Sequence, residues 1–316
     1  YKTTQIMGNC KMFITKNMKY HNYISTKKLN KIIKFDKNKI TVESGALLID
    51  ILKFLQTKNL TLATIPEYLL VSAGACLFTP IHGSSNKYFL VSDIIESYTY
   101  FNRLDDKIYN KKLIKENFKT KSLENEIILN VTFNCCEKYY LKKKRYFITP
   151  EILYNKTHLE NMINKYHSVV LHYYIFKKEI LLWKTSISNI LPKKTNIISN
   201  YAIRHTNIAY YINKCFTNEI IDINYKILGC CRNPPFDMNM NTNNMEFLID
   251  FNDLKNVIKI MNNQIIVSNI GIRFSTSNYV WIDIVINKSK LKCFYDNVYY
   301  KIEKFILHTH NGKFRY

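Results

Sequence analysis

The chemistry-bearing part of this chain is the stretch from Pro66 to Asn86, which is poor in charge, carries two of the seven glycines of the 316-residue sequence, Gly74 and Gly83, and ends in Thr79-Pro80-Ile81-His82-Gly83-Ser84-Ser85. Such a segment suits backbone lying against a ligand, because glycine removes side-chain bulk and lets N–H groups approach an anion. Another glycine lies near the beginning, in Gly8-Asn9-Cys10-Lys11. His82 reads as a packed loop residue rather than a base. The eight cysteines form no C-x-x-C pair, and the adjacent Cys135-Cys136 and Cys230-Cys231 have the wrong spacing for a zinc knuckle. No metal site is therefore expected, and the thiols read as free, in a reducing compartment.

The elements that must position this stretch follow from periodicity. The segment IIKFDKNKITVES alternates apolar and polar residues around a DKNK turn, which predicts a hairpin. From Leu47 to Lys58 the residues Asp50, Lys53 and Thr57 recur three to four apart, leaving an apolar face of Leu48, Ile51, Leu52 and Leu55, which predicts a helix. Gly45 falls at the strand-to-helix turn. Strands are expected over Phe89 to Phe101 and in IILNVTFNC, which closes a first region near residue 137. The densest basic run, Lys142 to Arg145, reads as a solvated linker at the boundary. In a second region, 138–316, Leu159 to Tyr166 reads as a helix, and SVVLHYYIF and EILLWKTS as a hairpin around Lys177-Lys178. CRNPPFDMNMNTNNM reads as a loop, MEFLIDFNDLKNVIKIM as a strand followed by a helix, IGIRFSTS and YVWIDIVI as strands, and Tyr295 to Phe305 as a helix.

A hydrophobic content of 47% supports a folded globule, and the length suits two domains. The net charge of +22 would suit an anionic partner such as nucleic acid. The lysines are spread along a chain that uses lysine, asparagine, isoleucine and tyrosine throughout, the bias expected of an AT-rich genome. No segment reaches the roughly 18 to 20 apolar residues of a membrane-spanning helix. The expectation is an intracellular chain, soluble or peripheral to a membrane.

The order Gly8-Asn9-Cys10-Lys11, Gly45, Ile65-Pro66-Glu67-Tyr68, Gly74-Ala75, Thr79 to Ser85, Gly271-Ile272-Arg273 and His310-Asn311-Gly312-Lys313 resembles the flavoprotein family of sugar-1,4-lactone oxidases and alditol oxidases, relatives of vanillyl-alcohol oxidase. Five of the seven glycines fall on family positions. The resemblance implies an α+β fold, with an FAD-binding domain over 1–137 and a cap domain, an antiparallel sheet flanked by helices, over 138–316. It implies that Gly8, Asn9, Cys10, Lys11, Gly74, Thr79, His82, Gly83, Ser84 and Ser85 contact the FAD. Arg273 and Lys313 would stand at the substrate side of the flavin as the catalytic pair, and hydride would pass from a sugar lactone or polyol to the flavin.

The sequence departs from the family at the same positions. Lys11 stands where many members carry the histidine that bonds covalently to FAD, so the cofactor is expected to be non-covalent. Pro80 and Ile81 replace a glycine and a threonine, removing a backbone donor. Ser122-Leu123-Glu124-Asn125-Glu126 places two carboxylates where the family has glycines. Gly271 replaces the glutamate of an E-x-R motif, removing the carboxylate that partners the arginine. The ends also differ, lacking the family's first strand and helix and its C-terminal return. Two alternatives follow: a catalytically inactive descendant serving as a structural or interaction protein with an unknown protein partner, and a basic nucleic-acid-binding protein.

Overall fold

Two tight turns illustrate how local sequence sets the first elements. Lys37, in the predicted DKNK turn, takes φ 49°, and it joins β3 (Ile32–Asp36) to β4 (Lys39–Glu43) in antiparallel register. Lys178 takes φ 51° and closes the hairpin of β10 (Ser168–Tyr174) and β11 (Glu179–Ser188). The computed structural model describes residues 4–7, 22–113, 125–191, 210–211, 214, 219–229, 242–262, 266–275 and 278–310. Among them no helix is long and apolar enough to cross a membrane.

The chain forms two compact units, one of residues 1–83, 90–138 and 228–233, the other of 84–89, 139–227 and 234–316. In the first unit, β1 (Thr4–Met7) and β2 (Asn22–Ser25) pair in parallel. The main sheet is antiparallel, in the order β3, β4, β8 (Glu126–Glu137), β6 (Ile95–Asn102) and β7 (Lys107–Lys112), with β5 (Leu60–Leu62) also pairing with β8. Helix α1 (Leu48–Thr57) buries the predicted stripe Leu48, Ile51, Leu52 and Leu55, together with Ile49. The short helix α2 (Ala75–Phe78) precedes the glycine-bearing loop.

The second unit is built on an eight-stranded antiparallel sheet. Its order is β12 (Ile220–Ile223), β9 (Tyr140–Ile148), β11, β10, β14 (Val267–Phe274), β15 (Tyr279–Asn287), β13 (Thr242–Asp250) and β16 (Ile306–Thr309). Strand residues alternate between the two faces, and residues opposite each other in register share a face. One face carries Leu171, Tyr173, Leu182, Phe247, Ile270, Ile272, Ile282 and Ile284, all at most 1% exposed. It packs with Leu159 and Ile163 of α3 (Lys156–Lys165) and with Leu254, Val257, Ile258 and Met261 of the helix Leu254–Asn262. Phe294, Val298 and Ile302, from a helical run with a π-type turn at Tyr295–Tyr299, complete this core. The predicted helix at Tyr295 to Phe305 thus begins earlier, at Leu291, and ends in a 3₁₀ turn over Glu303–Phe305.

The sequence expectation fails locally in three places. The strand expected from Phe89 begins only at Ile95, as β6, after a 3₁₀ turn over Val91–Ile94. The end of the asparagine-rich segment, from Thr242, is part of β13 rather than loop, because strand pairing supplies backbone partners that asparagine propensity does not foresee. The basic run Lys142 to Arg145 is no solvated linker. It is the middle of β9, where Lys142 and Lys144 pair with Glu219 at 2.5 and 3.0 Å, while Arg145, opposite Trp183 in register, is buried.

Gly45 joins β4 to the loop before α1 at a point where any side chain is excluded. A Cβ there would lie 2.0 Å from the Thr26 carbonyl oxygen and 2.7 Å from that of Leu29, which itself accepts the Gly45 N–H at 2.7 Å. Both obstacles are backbone and cannot swing aside. Gly45→Ala is expected to lower stability by about 2–4 kcal/mol, read as a reduced midpoint in urea unfolding followed by circular dichroism.

Candidate functional site

The sequence-derived site residues separate into groups. Gly8, Asn9, Cys10, Lys11 and Lys313 lie outside the described residues, as does Ser122-Leu123-Glu124. Gly74, Thr79, His82 and Gly83 belong to the first unit, Ser84 and Ser85 begin the next segment of chain in the second, and Arg273 lies on β14 of the second.

In the first unit the loop after α2 is tightly tied. Thr79 donates its N–H to Ala75 O at 3.0 Å, Ile81 to Thr79 O at 2.6 Å, and Val91 to Ile81 O at 2.7 Å. Pro80, His82 and Gly83 are buried, and the His82 ring nitrogen Nδ1 lies 3.1 Å from Gly83 O. Gly83 bridges to Pro66 as an isolated antiparallel pair, and a Cβ on it would meet Ile65 O at 2.7 Å and Thr64 Oγ1 at 2.8 Å. The glycine is therefore demanded by the chain's own packing. Two fully buried hydroxyls nearby, Thr64 Oγ1 beside Gly83 and Ser44 Oγ beside Gly74, have no hydrogen-bond partner among the described residues. A buried hydroxyl left so costs about 1–3 kcal/mol, and oxygen atoms of an anionic ligand are of the chemistry that satisfies it. These residues fit a diphosphate in donor type; Pro80, without an N–H, does not contribute. Ser85 Oγ accepts the Lys87 N–H at 3.3 Å and is buried against its own unit.

In the second unit the sheet face opposite the apolar core carries a buried polar row beside a smaller cluster of Val170, Tyr174, Leu181 and Trp183. In register, His172 of β10 stands opposite Gly271 of β14, Gly271 opposite Asp283 of β15, and Asp283 opposite Glu246 of β13. One pair further along, Arg145, Trp183, Val170, Arg273 and Trp281 form the adjoining row. The Arg273 Nη1 lies 2.8 Å from Glu246 Oε1, and its Nη2 3.6 Å from Asp283 Oδ2. His310, just past β16, donates its backbone N–H to Glu246 O at 2.9 Å and places Nε2 3.9 Å from Glu246 Oε2. Glu246, Asp283, His310 and Arg273 are between 2 and 8% exposed. Gly271 does lack the carboxylate of the E-x-R motif, but Arg273 has others. Two carboxylates reach Arg273, Asp283 from the neighbouring strand β15 and Glu246 from β13 one strand beyond, a pairing that no local motif encodes.

Aromatic rings frame these charges. Trp281 stacks with Phe89 at 5.9 Å and approaches His310 at 6.4 Å, while Trp183 meets His172 edge-on at 4.6 Å. Lys143, half-buried on β9, holds its Nζ 3.7 Å over the Trp183 ring, a cation–π contact. Burial, with Arg145 nearby, lowers its amine from the ordinary 10.5 to about 7. Sequence reasoning missed Lys143, Arg145, Glu246 and Asp283; period-two alternation in β9 and β13 was the available signal. Among the described residues no cluster of His, Cys, Asp or Glu could hold a metal ion. Cys76 and Cys135 are buried thiols pushed up to about 12 by desolvation, which makes them unreactive.

No protein-family model matches the sequence, and no curated protein matches it. Solved structures do match in fold. A variant of cholesterol oxidase from Brevibacterium sterolicum superposes with a TM-score of 0.73 at 12% identity, over 96% of this chain and 76% of that one. A solvent-stable cholesterol oxidase gives 0.73 at 12%, over 98% and 79%. A variant of Phl p 4, a glucose oxidase, gives 0.66 at 8%, over 98% and 74%. The chain shares the fold of these oxidases, mixed helix and antiparallel sheet, along nearly its whole length.

Arg273→Met would leave Glu246 and Asp283 buried without their cation. It is expected to cost about 3–5 kcal/mol in chemical denaturation. Lys143 makes stability depend on pH with a definite sign. Between about 7 and 10.5 the unfolded chain holds a proton that the folded amine has released, so stability rises with pH across that window and is flat in this respect below it. Denaturation curves should show the native protein gaining on Lys143→Met by at most about 1.4 kcal/mol per pH unit.

Proposed function

We propose that this chain is a flavin-dependent oxidoreductase that binds FAD non-covalently and acts on a hydroxyl-bearing carbon of a sugar lactone or polyol. The observation that carries this reading is the fold shared with cholesterol and glucose oxidases over 96–98% of the chain. The order of the glycine motifs, Gly74 and Thr79 to Gly83 among them, supports FAD as the cofactor. Gly74, Thr79, His82 and Gly83 would hold its diphosphate, with the hydroxyls of Ser44 and Thr64 close by.

When bound, the flavin supplies the hydride acceptor. The residues of the second unit do the rest. Arg273, fixed by two carboxylates, needs no reorganisation to favour negative charge developing on a substrate oxygen. The cluster sets two carboxylates against one guanidinium, so it presents hydrogen-bond acceptors rather than an anion trap. Glu246 Oε2 and His310 Nε2, 3.9 Å apart, are the atoms that would take the proton lost by the substrate hydroxyl.

The second reading, a non-catalytic descendant, is favoured by one observation: Pro80 is buried at the centre of the glycine loop, where an N–H donor is missing. Visible absorption of the full chain purified with and without added FAD separates the two. A stoichiometric yellow complex is expected; a colourless, well-folded protein that cannot be reconstituted would overturn the oxidoreductase reading. Pro80→Gly restores a donor and is expected to tighten FAD binding by about threefold to tenfold, measured by flavin fluorescence titration.

A further inference from the structure

The turn between β10 and β11 presents rings that packing leaves uncovered. Phe176-Lys177-Lys178 runs through it, with the last residue held at φ 51°. Phe176 is 43% and Tyr211 54% exposed, although both touch the buried ring of Tyr210, at 5.8 and 5.1 Å between centroids and 71° and 84° between planes. Tyr210 is itself fixed. Its hydroxyl donates to Glu179 Oε2, Lys214 Nζ donates to that hydroxyl at 2.8 Å, and the ring packs with Val170, Leu181 and Phe147. A buried tyrosine thus props two rings whose remaining surface is open to solvent. Lys177 places Nζ 5.4 to 5.9 Å from the centroids of Phe176, Tyr210 and Tyr211. Glu179 serves Lys214 at 3.4 Å, and among the described residues no carboxylate pairs with Lys177 or Lys178. Cations laid among exposed rings, without acids to neutralise them, make a surface that suits single strands: bases of any sequence stack on rings, and phosphates meet ammonium groups.

We propose that Phe176, Lys177, Lys178 and Tyr211 form a binding surface for single-stranded nucleic acid. One base stacks on each exposed ring, and the phosphates beside them meet Lys177 and Lys178. The net charge of +22 favours such a partner at long range without giving it a place. The rings give the place. A bilayer is a poorer match, since two rings bury little apolar area and even a single myristoyl chain holds a membrane only marginally. An acidic protein would satisfy the lysines but lacks the row of flat partners that bases supply. The surface involves neither the polar row of Arg273 nor a flavin, so it goes beyond the oxidoreductase reading and does not rest on it.

The test is fluorescence anisotropy of the full chain with a labelled oligothymidylate of about twelve nucleotides, beside a strand of equal length whose sugars carry no bases. The native protein is expected to bind the thymidylate at least about fivefold more tightly than the abasic strand, the worth of one stacked base. Phe176→Ala and Tyr211→Ala should each weaken thymidylate by at least about fivefold with the salt dependence unchanged, while Phe176→Trp keeps the native affinity. Lys177→Met combined with Lys178→Met should instead flatten the slope of log affinity against log salt by about 1.4, the release of two phosphate counterions from a single strand. Lys107→Met, on β7 of the first unit, should leave the preference for bases as it was. Equal binding of the two strands, or a Phe176→Ala protein that binds thymidylate as the native one does, would overturn the proposal. So would a Phe176→Ala protein that no longer sediments with phosphatidylserine vesicles yet still binds thymidylate, identifying a lipid surface. If circular dichroism shows the alanine variant poorly folded, Phe176→Leu, apolar but without a ring, repeats the test. The flavin spectrum of the same samples keeps the two readings apart: a colourless protein that prefers bases removes the oxidoreductase and keeps this surface, and a yellow protein indifferent to them does the reverse.

Discussion

Burial of a charged row on one face of a sheet is the constraint on which the second unit depends. Arg273, Glu246 and Asp283 come from three adjacent strands, β14, β13 and β15, and each is removed from water. Such a group is tolerated only when its members meet in hydrogen-bonding geometry, since an uncompensated buried charge costs several kcal/mol. A slip of one residue in β15 would turn Asp283 into the apolar core and bring Ile282 or Ile284 into the polar row. The ion pairs and the apolar face therefore specify the same register. The alternating runs of isoleucine in β14 and β15 supply the driving force, and the charges make every other alignment expensive.

The polar face also has a direction. Its acidic end, around Arg273, holds two carboxylates for one guanidinium, and His310 lies beside them; its basic end, on β9, holds Lys143 and Arg145 over an indole. A face that separates charge in this way while staying buried is poorly suited to stability alone, because apolar residues of similar volume would pack at lower cost. The fold that carries this face is shared with cholesterol and glucose oxidases.

The first unit shows how one residue type serves two demands. Gly45 and Gly83 are required because backbone oxygens of the same chain occupy the space of a side chain, which explains their positions without a ligand. The buried hydroxyls of Ser44 and Thr64, beside the two motif glycines and without partners among the described residues, are what packing alone does not explain. The loop is built tight by its own hydrogen bonds and keeps polar atoms in reserve.

The sequence by itself determined the elements whose periodicity is local. The β3–β4 turn, the apolar stripe of α1, the hairpin of β10 and β11 and the strand-to-helix passage after β13 were all legible, because each depends on residues a few positions apart. Arg273 was singled out in the sequence through its motif. Its partners were not: Glu246 is 27 residues away along the chain, and only the pairing of β13 with β15 and of β15 with β14 brings that carboxylate and Asp283 to it. Lys143 and Arg145 looked like part of a solvated run because composition does not say which face of a strand is covered. Only the tertiary structure decided that, since burial is set by what packs across the sheet and not by the sequence of the strand itself.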